Sequence, residues 1–196
     1  MSRLQVWSFE GITPVVHPDA YVHPSAVLIG DVIVGPGCFV GAGAVMRGDF
    51  GRIVLEREAN LQDNCVVHSG PDQDTVMEER SHIGHGAVIH YCRIGRDALV
   101  GMNAVVMDRA TVGEQAIVAA MSFVRIGAVI PPRVLVTGTP ARVVRELTRD
   151  DIAYKQMGTE LYVELARRCQ TGLRPVDPLT AVEADRPRTR WDIPTV

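Results

Sequence analysis

Three histidines are the residues of this sequence whose types and spacing could do chemistry. His68 and His90 each directly follow an aliphatic residue and lie 22 positions apart, and His85 lies between them. Three neutral imidazoles with one open coordination position form a common ligand set of catalytic zinc sites. A metal held in this way lowers the pKa of a bound water to about 7, so hydroxide becomes available at neutral pH. The histidines therefore predict a metal centre that activates water.

Four polar residues accompany the histidines along the chain: Arg47, Asp49, Gln62 and Asp63. A carboxylate can orient a metal-bound imidazole or water through a hydrogen bond, which is a role open to both aspartates. Arg47 and Asp49 could equally form an ion pair between two protomers. We therefore predict that the four residues line the histidine site.

The elements that must position these residues are indicated by a repeat of six. From Val16 to Val136 an aliphatic residue or Met recurs at every sixth position, with three breaks, and a small residue usually follows four positions later. This period is neither the 3.6 of an α-helix nor the 2 of an ordinary strand. It is typical of a left-handed parallel β-helix, an all-β coil with three short strands per turn. The sequence predicts about six coils of this kind within residues 1–141.

The repeat also predicts where the histidines lie on the coils. The distance from His68 to His90 is one 18-residue coil plus a four-residue excursion in an acidic loop, residues 69–82. These two imidazoles should therefore stack at one outward corner in adjacent coils, whereas His85 should point elsewhere. A second protomer would then supply the third ligand. His82, beside the loop, is interpreted as a solvated residue.

The C-terminal quarter has a different pattern. Thr148 is typical of a helix N-cap, and the acids that follow it suit a first helical turn. We expect a helix through about Cys169, packed on the β-helix within residues 142–170. Residues 171–196 contain four prolines and are expected to form an irregular tail.

Composition excludes several other classes of protein. The net charge is −3, which disfavours a nucleic-acid-binding surface. No apolar run approaches the roughly 20 residues that span a bilayer, so we expect no contact with a membrane. The four cysteines lack the C-x-x-C spacing, and no signal peptide is apparent, so we expect reduced thiols in a cytoplasmic protein.

An ordered set of motifs resembles the γ-class carbonic anhydrase family. The set comprises R-G-D-F-G-R-I (47–53), L-Q-D-N (61–64), His68, I-G-H (83–85), His90 and V-G-M-N-A (100–104). The resemblance implies a homotrimer with a metal site at each protomer interface and a helix packed beside the β-helix. The metal would be zinc, or iron or cobalt in its place.

Carried onto this sequence, the resemblance also implies a role for each site residue. His68 and His90 of one protomer and His85 of its neighbour would be the metal ligands. Arg47 and Asp49 would form an ion pair at the interface. The resemblance also implies that Gln62 and Asp63 would lie near the metal-bound water.

Two further stretches, N-L-Q-D-N-C-V-V-H (60–68) and P-D-Q-D-T-V (71–76), look like a branch of that family from phenylacetic acid degradation. A branch from carnitine metabolism is similar. The likeness implies a metal-dependent thioesterase for acyl- and aryl-coenzyme A esters, particularly ring-hydroxylated ones. Phe50 stands where the archetypal anhydrase has a glutamate, which counts against fast proton export. Three alternatives stay open: carbon dioxide hydration, acyl transfer of the hexapeptide type, and a non-enzymatic trimeric scaffold.

Overall fold

The chain folds into a three-sided prism of short strands, stacked level upon level. The computed structural model describes residues 4–191. Its helix α1 spans Arg149–Gly172. The strands are β1 (Gln5–Trp7), β2 (Val15–Val16), β3 (Tyr21–Val22), β4 (Val27–Val34), β5 (Phe39–Val40), β6 (Val45–Leu55), β7 (Asn60–Leu61), β8 (Val66–His68), β9 (Thr75–Met77), β10 (His82–Ile83), β11 (Val88–His90), β12 (Arg93–Ile94), β13 (Leu99–Val100), β14 (Val105–Val106), β15 (Thr111–Val112), β16 (Ile117–Val118), β17 (Phe123–Val124), β18 (Val129–Ile130), β19 (Val134–Gly138) and β20 (Ala141–Glu146).

Each level contributes one strand to each face of the prism. The first face runs β3-β5-β7-β10-β13-β16-β19 in parallel, and β20 closes its end as an antiparallel strand. The second face continues from β6 through β8, β11, β14 and β17, and the third from β6 through β9, β12, β15 and β18. The long strands β4 and β6 bend around a corner and belong to both of these faces. The prediction of a parallel β-helix with a C-terminal helix is confirmed.

The core is the narrow interior of the prism. The large residues of the repeat, such as Leu28, Met46 and Ile89, are fully buried there. The small residues four positions later, such as Ala87 and Ala104, are buried as well, because the facing side chains leave no room for a larger group. Fully burying one large aliphatic side chain contributes roughly 1.5–3 kcal/mol.

The predicted loop over residues 69–82 is interrupted by a strand. Residues 69–74 lie between β8 and β9 without helix or strand, and residues 78–81 lie in the same way between β9 and β10. Met77 of β9 is fully buried and stands six residues before Ile83, so it occupies the inward position of the repeat. The acidic residues around it hide this position in the sequence. The first face holds seven parallel strands, against the six coils expected.

Helix α1 begins with a capping box. The Thr148 hydroxyl accepts a hydrogen bond from the Asp151 backbone N–H, and the Asp151 carboxylate accepts one from the Thr148 N–H. The helix packs against β3, β5 and β7 on the first face. Residues 141–146, expected within or beside the helical segment, form strand β20 instead. In the described part of the chain no helix is long and apolar enough to cross a membrane.

The expected tail has no helix or strand over residues 173–191. Its described part nevertheless returns to the helix, because the Arg168 guanidinium lies 4.2 Å from the centre of the Trp191 ring. The Arg168 side chain also donates a hydrogen bond to the Arg190 carbonyl at 3.1 Å. The final five positions of the predicted tail, and the first three of the chain, lie outside the described residues.

A buried ion pair joins α1 to the prism. The Lys155 ammonium donates hydrogen bonds to Asp97 at 3.0 Å and to the Arg80 carbonyl at 2.8 Å. The Gln156 amide donates to the second oxygen of Asp97 at 3.1 Å. Burial lowers the pKa of Lys155 to about 8, and the Asp97 charge opposes this shift. The ammonium therefore depends on Asp97 for its charged form.

Replacing Asp97 with alanine is expected to reduce the free energy of unfolding by about 3–5 kcal/mol, because it leaves the buried Lys155 charge without a partner. Denaturant unfolding at fixed protein concentration measures the change. Adding Lys155→Met to the same chain should restore much of the loss. The matched control is Glu183→Ala, which breaks an exposed ion pair and should cost less than about 0.5 kcal/mol. An equal cost for both single variants would show that the buried pair does not hold the helix.

Candidate metal centre

Arg47, His68 and His90 stack at one corner of the prism. They lie on the adjacent parallel strands β6, β8 and β11. Arg47 pairs in register with His68, and His68 pairs in register with His90. Side chains at equal register in adjacent parallel strands lie one above the other, at about the 4.8 Å strand spacing. The two histidines, 22 residues apart in the sequence, therefore lie in adjacent levels of the prism.

One nitrogen of the His68 ring faces one nitrogen of the His90 ring. Nδ1 of His68 lies 3.1 Å from Nε2 of His90. The other nitrogen of each ring faces a carboxylate: Nε2 of His68 lies 3.0 Å from Asp49, and Nδ1 of His90 lies 2.5 Å from Asp108. In the neutral form of each ring the outer nitrogen carries the proton, because the carboxylate beside it accepts hydrogen bonds. The facing nitrogens are then both unprotonated.

Two unprotonated nitrogens that face each other fit a shared cation. They have no proton to place between them, so their lone pairs repel each other unless a positive charge lies nearby. Two nitrogens bound to one zinc at its usual bond length stand roughly 3.3 Å apart in tetrahedral geometry. The observed separation of 3.1 Å between His68 and His90 is close to that value. We name His68, His90, Asp49 and Asp108 the His68–His90 corner.

Asp49 is held in its ionised form by its neighbours. The Arg47 guanidinium donates a hydrogen bond to its second oxygen at 2.5 Å. Burial raises the pKa of the Asp49 carboxyl, but the hydrogen bonds from Arg47 and His68 outweigh burial and bring the pKa below its ordinary value. Arg47 and Asp49 form an ion pair within one chain, because they lie two residues apart on the same side of β6. Their pairing across an interface stays a prediction.

Phe50 lies beside the same corner. Its ring centre is 5.3 Å from that of His68, and 63% of the residue is exposed. An aromatic side chain this exposed offers an apolar surface next to the two imidazoles. Phe50 carries no group that could accept a proton, as the sequence comparison with the archetypal anhydrase anticipated.

Asp108 is the residue of this corner that sequence reasoning missed. It lies 18 positions after His90, but the coil between them is one residue short, because β11 pairs with β14 at an offset of 17. Asp108 therefore stands one level above His90 and one residue past the corner position. Its hydrogen bond to His90 gives that imidazole the same kind of carboxylate support that Asp49 gives His68.

His85 lies at a different corner, in the turn after β10. Its Nδ1 is 3.1 Å from Asp63, whose other oxygen accepts the Ala42 backbone N–H at 2.8 Å. Its Nε2 is 3.4 Å from the Tyr162 hydroxyl of α1. Burial raises the pKa of Tyr162 to about 12, so this hydroxyl remains a hydrogen-bond donor at neutral pH. We name His85, Asp63 and Tyr162 the His85 corner.

Gln62 lies beneath the surface of the chain, and its predicted place near a metal-bound water stays a prediction. Gln62 is buried, and its carbonyl oxygen accepts the backbone N–H of His85 at 3.2 Å. Its amide nitrogen lies within hydrogen-bond distance of Asn60 and His82, at 3.0 Å and 2.6 Å. The polar atoms of Gln62 are thus all engaged beneath the surface, because α1 covers this part of the first face.

The interpretation of His82 as solvated is also wrong. Its ring lies edge-on to Tyr162, with 5.2 Å between ring centres, and it contacts Gln62. Burial is the main reason that its pKa falls to about 3, so the imidazole is neutral. The residues beside His82 in the sequence do not indicate its burial, because the helix that covers it lies some 80 positions further along the chain.

The two corners remain separate within one chain. Across residues 4–191, no group of three or more His, Cys, Asp or Glu side chains is placed to hold a metal ion. The His68–His90 corner offers two nitrogen ligands, and the exposed His85 corner offers one. A three-histidine site therefore needs both corners, taken from different copies of the chain.

Comparison with known proteins adds independent information. A family model described as bacterial transferase hexapeptide (six repeats) matches residues 13–48. The carnitine operon protein CaiE of Salmonella agona is 55% identical over 187 residues, which cover 95% of this chain and 94% of that protein. CaiE of Proteus sp. is 54% identical, with 95% of each chain covered.

Solved structures agree with the architecture. A hexapeptide transferase family protein from Anaplasma phagocytophilum has a TM-score of 0.81 and is 36% identical. The match covers 85% of this chain and 98% of that one.

Proposed function

Because the chain belongs to the family of hexapeptide-repeat proteins that includes the carnitine operon protein CaiE, we propose that it is a metal-dependent hydratase of the γ-carbonic anhydrase type. Its substrate in this proposal is carbon dioxide, and its site lies between copies of the chain. The observation that carries the proposal is the pair of facing imidazole nitrogens, 3.1 Å apart, in two rings that each have a carboxylate at the outer nitrogen.

The expectation of a thioesterase in phenylacetate degradation is wrong. The relatives that share more than half of their residues with nearly the whole chain are named for a carnitine operon, not for phenylacetate. The motifs that suggested phenylacetate lie in the shared scaffold and site, so they do not separate the two branches. We accordingly place the proposed activity in carnitine metabolism.

In this proposal three copies of the chain form a ring with one metal site at each interface. His68 through Nδ1 and His90 through Nε2 would hold zinc, iron or cobalt, together with His85 of a neighbouring copy. When bound, such an ion supplies Lewis acidity, which lowers the pKa of a water molecule to near neutrality. The donor set fits because all three groups are neutral imidazoles, which suit these borderline metals.

The chain's own residues support that site in distinct ways. Asp49 and Asp108 hold the protons of the two imidazoles on the outer nitrogens, so the inner nitrogens stay free to bind. Asp63 does the same for His85 at Nδ1. Phe50 excludes water from one side of the corner and offers an apolar surface to an uncharged, linear substrate. Because Phe50 cannot carry a proton away, we expect slower turnover than in an anhydrase with a glutamate there.

The test is a stopped-flow measurement of carbon dioxide hydration, with pH-indicator detection, on protein loaded with zinc, cobalt or iron. We expect hydration above the buffer rate with at least one metal, loss of it after chelation, and recovery on reloading. Bound metal should approach one ion per chain. Hydration at the buffer rate with every metal would refute the proposed activity, and a scaffold role would become the better explanation.

Acyl transfer is a second candidate, and one observation favours it. The exposed His85 imidazole has a carboxylate on Nδ1, which is the arrangement of a general base supported by an acid. The family model and the Anaplasma relative both carry transferase in their descriptions. The two candidates differ in their need for metal: transfer of an acetyl group from acetyl-coenzyme A by His85 should survive chelation, whereas hydration should not.

A further inference from the structure

A small cluster of buried polar side chains lies beneath helix α1, next to the His85 corner. Asn60 and Gln62 are 1% and 3% exposed. His82 stands directly opposite Asn60 on the adjacent strand of the first face. An added Cβ atom on Gly158 of α1 would lie 4.0 Å from the His82 ring, so the helix backbone itself covers the imidazole. Neither of the proposed functions uses this cluster directly.

The hydrogen bonds of Gln62 have one consistent direction. The backbone N–H of His85 can only donate, so the Gln62 atom 3.2 Å from it is the amide oxygen. The Gln62 nitrogen then donates its two protons, one to the Asn60 oxygen at 3.0 Å and one to Nε2 of His82 at 2.6 Å. Nε2 of His82 is the acceptor in this arrangement, and the other ring nitrogen, Nδ1, lies 3.3 Å from the Asn60 amide nitrogen.

We propose that His82 is a positioning residue that fixes the turn carrying His85. Its Nε2 accepts one amide proton of Gln62, and this contact together with Asn60 sets the orientation of that amide. The Gln62 oxygen then receives the His85 N–H and holds the backbone of the turn at the protein surface. The inference rests on the proposed role of His85 as a metal ligand and extends that site inward by two residues.

The buried environment suits this role. The pKa of His82 falls to about 3, through burial first and then through the charges of Lys155 and His85. A neutral imidazole retains the lone pair that the Gln62 amide needs. An aliphatic side chain at this position would leave one amide proton buried without an acceptor, which is unfavourable. The amide would then be free to turn away from His85.

The experiment compares His82→Leu with His82→Gln, because the glutamine oxygen can reach the place of Nε2 and accept the same proton. The first readout is hydrogen exchange of the His85 amide in metal-free protein, resolved by NMR. We expect the exchange to be at least about tenfold faster in His82→Leu and close to wild type in His82→Gln. The matched control is His23→Leu, a half-buried imidazole in an early level of the prism whose Nδ1 contacts the Ser25 hydroxyl.

The second readout is zinc affinity, measured by competition with a chelating dye. Loss of support for a metal ligand typically costs about 10- to 100-fold in affinity, and we expect His82→Leu to fall in that range. If His82 acts through Gln62, the double variant His82→Leu with Gln62→Leu should bind zinc no more weakly than Gln62→Leu alone.

The outcomes separate this inference from the proposed function. Unchanged His85 exchange in His82→Leu would overturn the positioning role, whatever the metal does. The same holds if His82→Leu and His82→Gln lose zinc affinity equally, because that result would indicate packing rather than a hydrogen bond. Fast exchange in His82→Leu, with no zinc bound by wild type, would support the inference while refuting the metal site.

Discussion

Replacing His90 with alanine is expected to remove metal binding from the protein and to bring carbon dioxide hydration down to the buffer rate. His90 offers one of the two unprotonated nitrogens at its corner, so the variant leaves His68 as the single ligand from that chain. The loss should exceed the roughly 10- to 100-fold that accompanies removal of a residue supporting a ligand. Metal content per chain and stopped-flow hydration measure the two effects.

The matched control is His17→Ala. His17 is also an imidazole at an outward corner with an aspartate, Asp19, close to its Nδ1, but no second imidazole faces it. Metal content and hydration should be unchanged in that variant. The thermal midpoints of both variants should stay near wild type, because both side chains lie at corners outside the core. Full metal loading of His90→Ala would refute the assignment of this corner as the metal site.

Mixing two inactive variants is expected to restore activity, and this is the second large effect. His90→Ala retains an intact His85 corner, and His85→Ala retains an intact His68–His90 corner. Each variant alone should be inactive, because every interface in its ring lacks one ligand. In a random equimolar mixture, about a quarter of the interfaces combine the intact His85 corner of one variant with the intact His68–His90 corner of the other. About a quarter of the wild-type hydration should therefore return.

The two variants should be unfolded together and refolded, or coexpressed with different tags, so that mixed rings can form. Mixing folded variants without exchange of subunits gives the baseline. Coexpression of His90→Ala with His68→Ala is the matched control: both defects lie at the same corner, so no interface regains a complete site. Recovery in the control as large as in the test pair would contradict a site shared between copies. A monomer in light scattering would contradict it as well.

The stacking of His68 on His90 could be predicted from the sequence because the repeat is local. Each hexapeptide positions its own inward residue, and a count of coils and excursions converts distance along the chain into position at a corner. The same count, with the coil after His90 one residue short, places Asp108 one residue past the corner position above His90. It failed at β9, because Asp74, Glu78 and Glu79 flank the strand and hide the inward position of Met77.

The direction of the Gln62 side chain could not be predicted in that way. Its neighbours along the strand indicate only that it faces outward, and an outward residue is normally solvated. Helix α1 covers it, and the partners that the amide finds there are Asn60 and His82. This arrangement arises from contacts between segments about 80 to 100 residues apart, which no local period encodes.

The sequence by itself determined the architecture, since a six-residue alternation of large and small side chains is compatible with a narrow three-sided coil and with no ordinary helix or sheet. It also determined which histidines stack. Only the tertiary structure decided the protonated nitrogen of each imidazole, because that depends on where the Asp49 and Asp108 carboxylates come to lie. It likewise decided that His82 is neutral and covered, since burial under a distant helix sets the pKa of a side chain more strongly than the residues beside it in the chain.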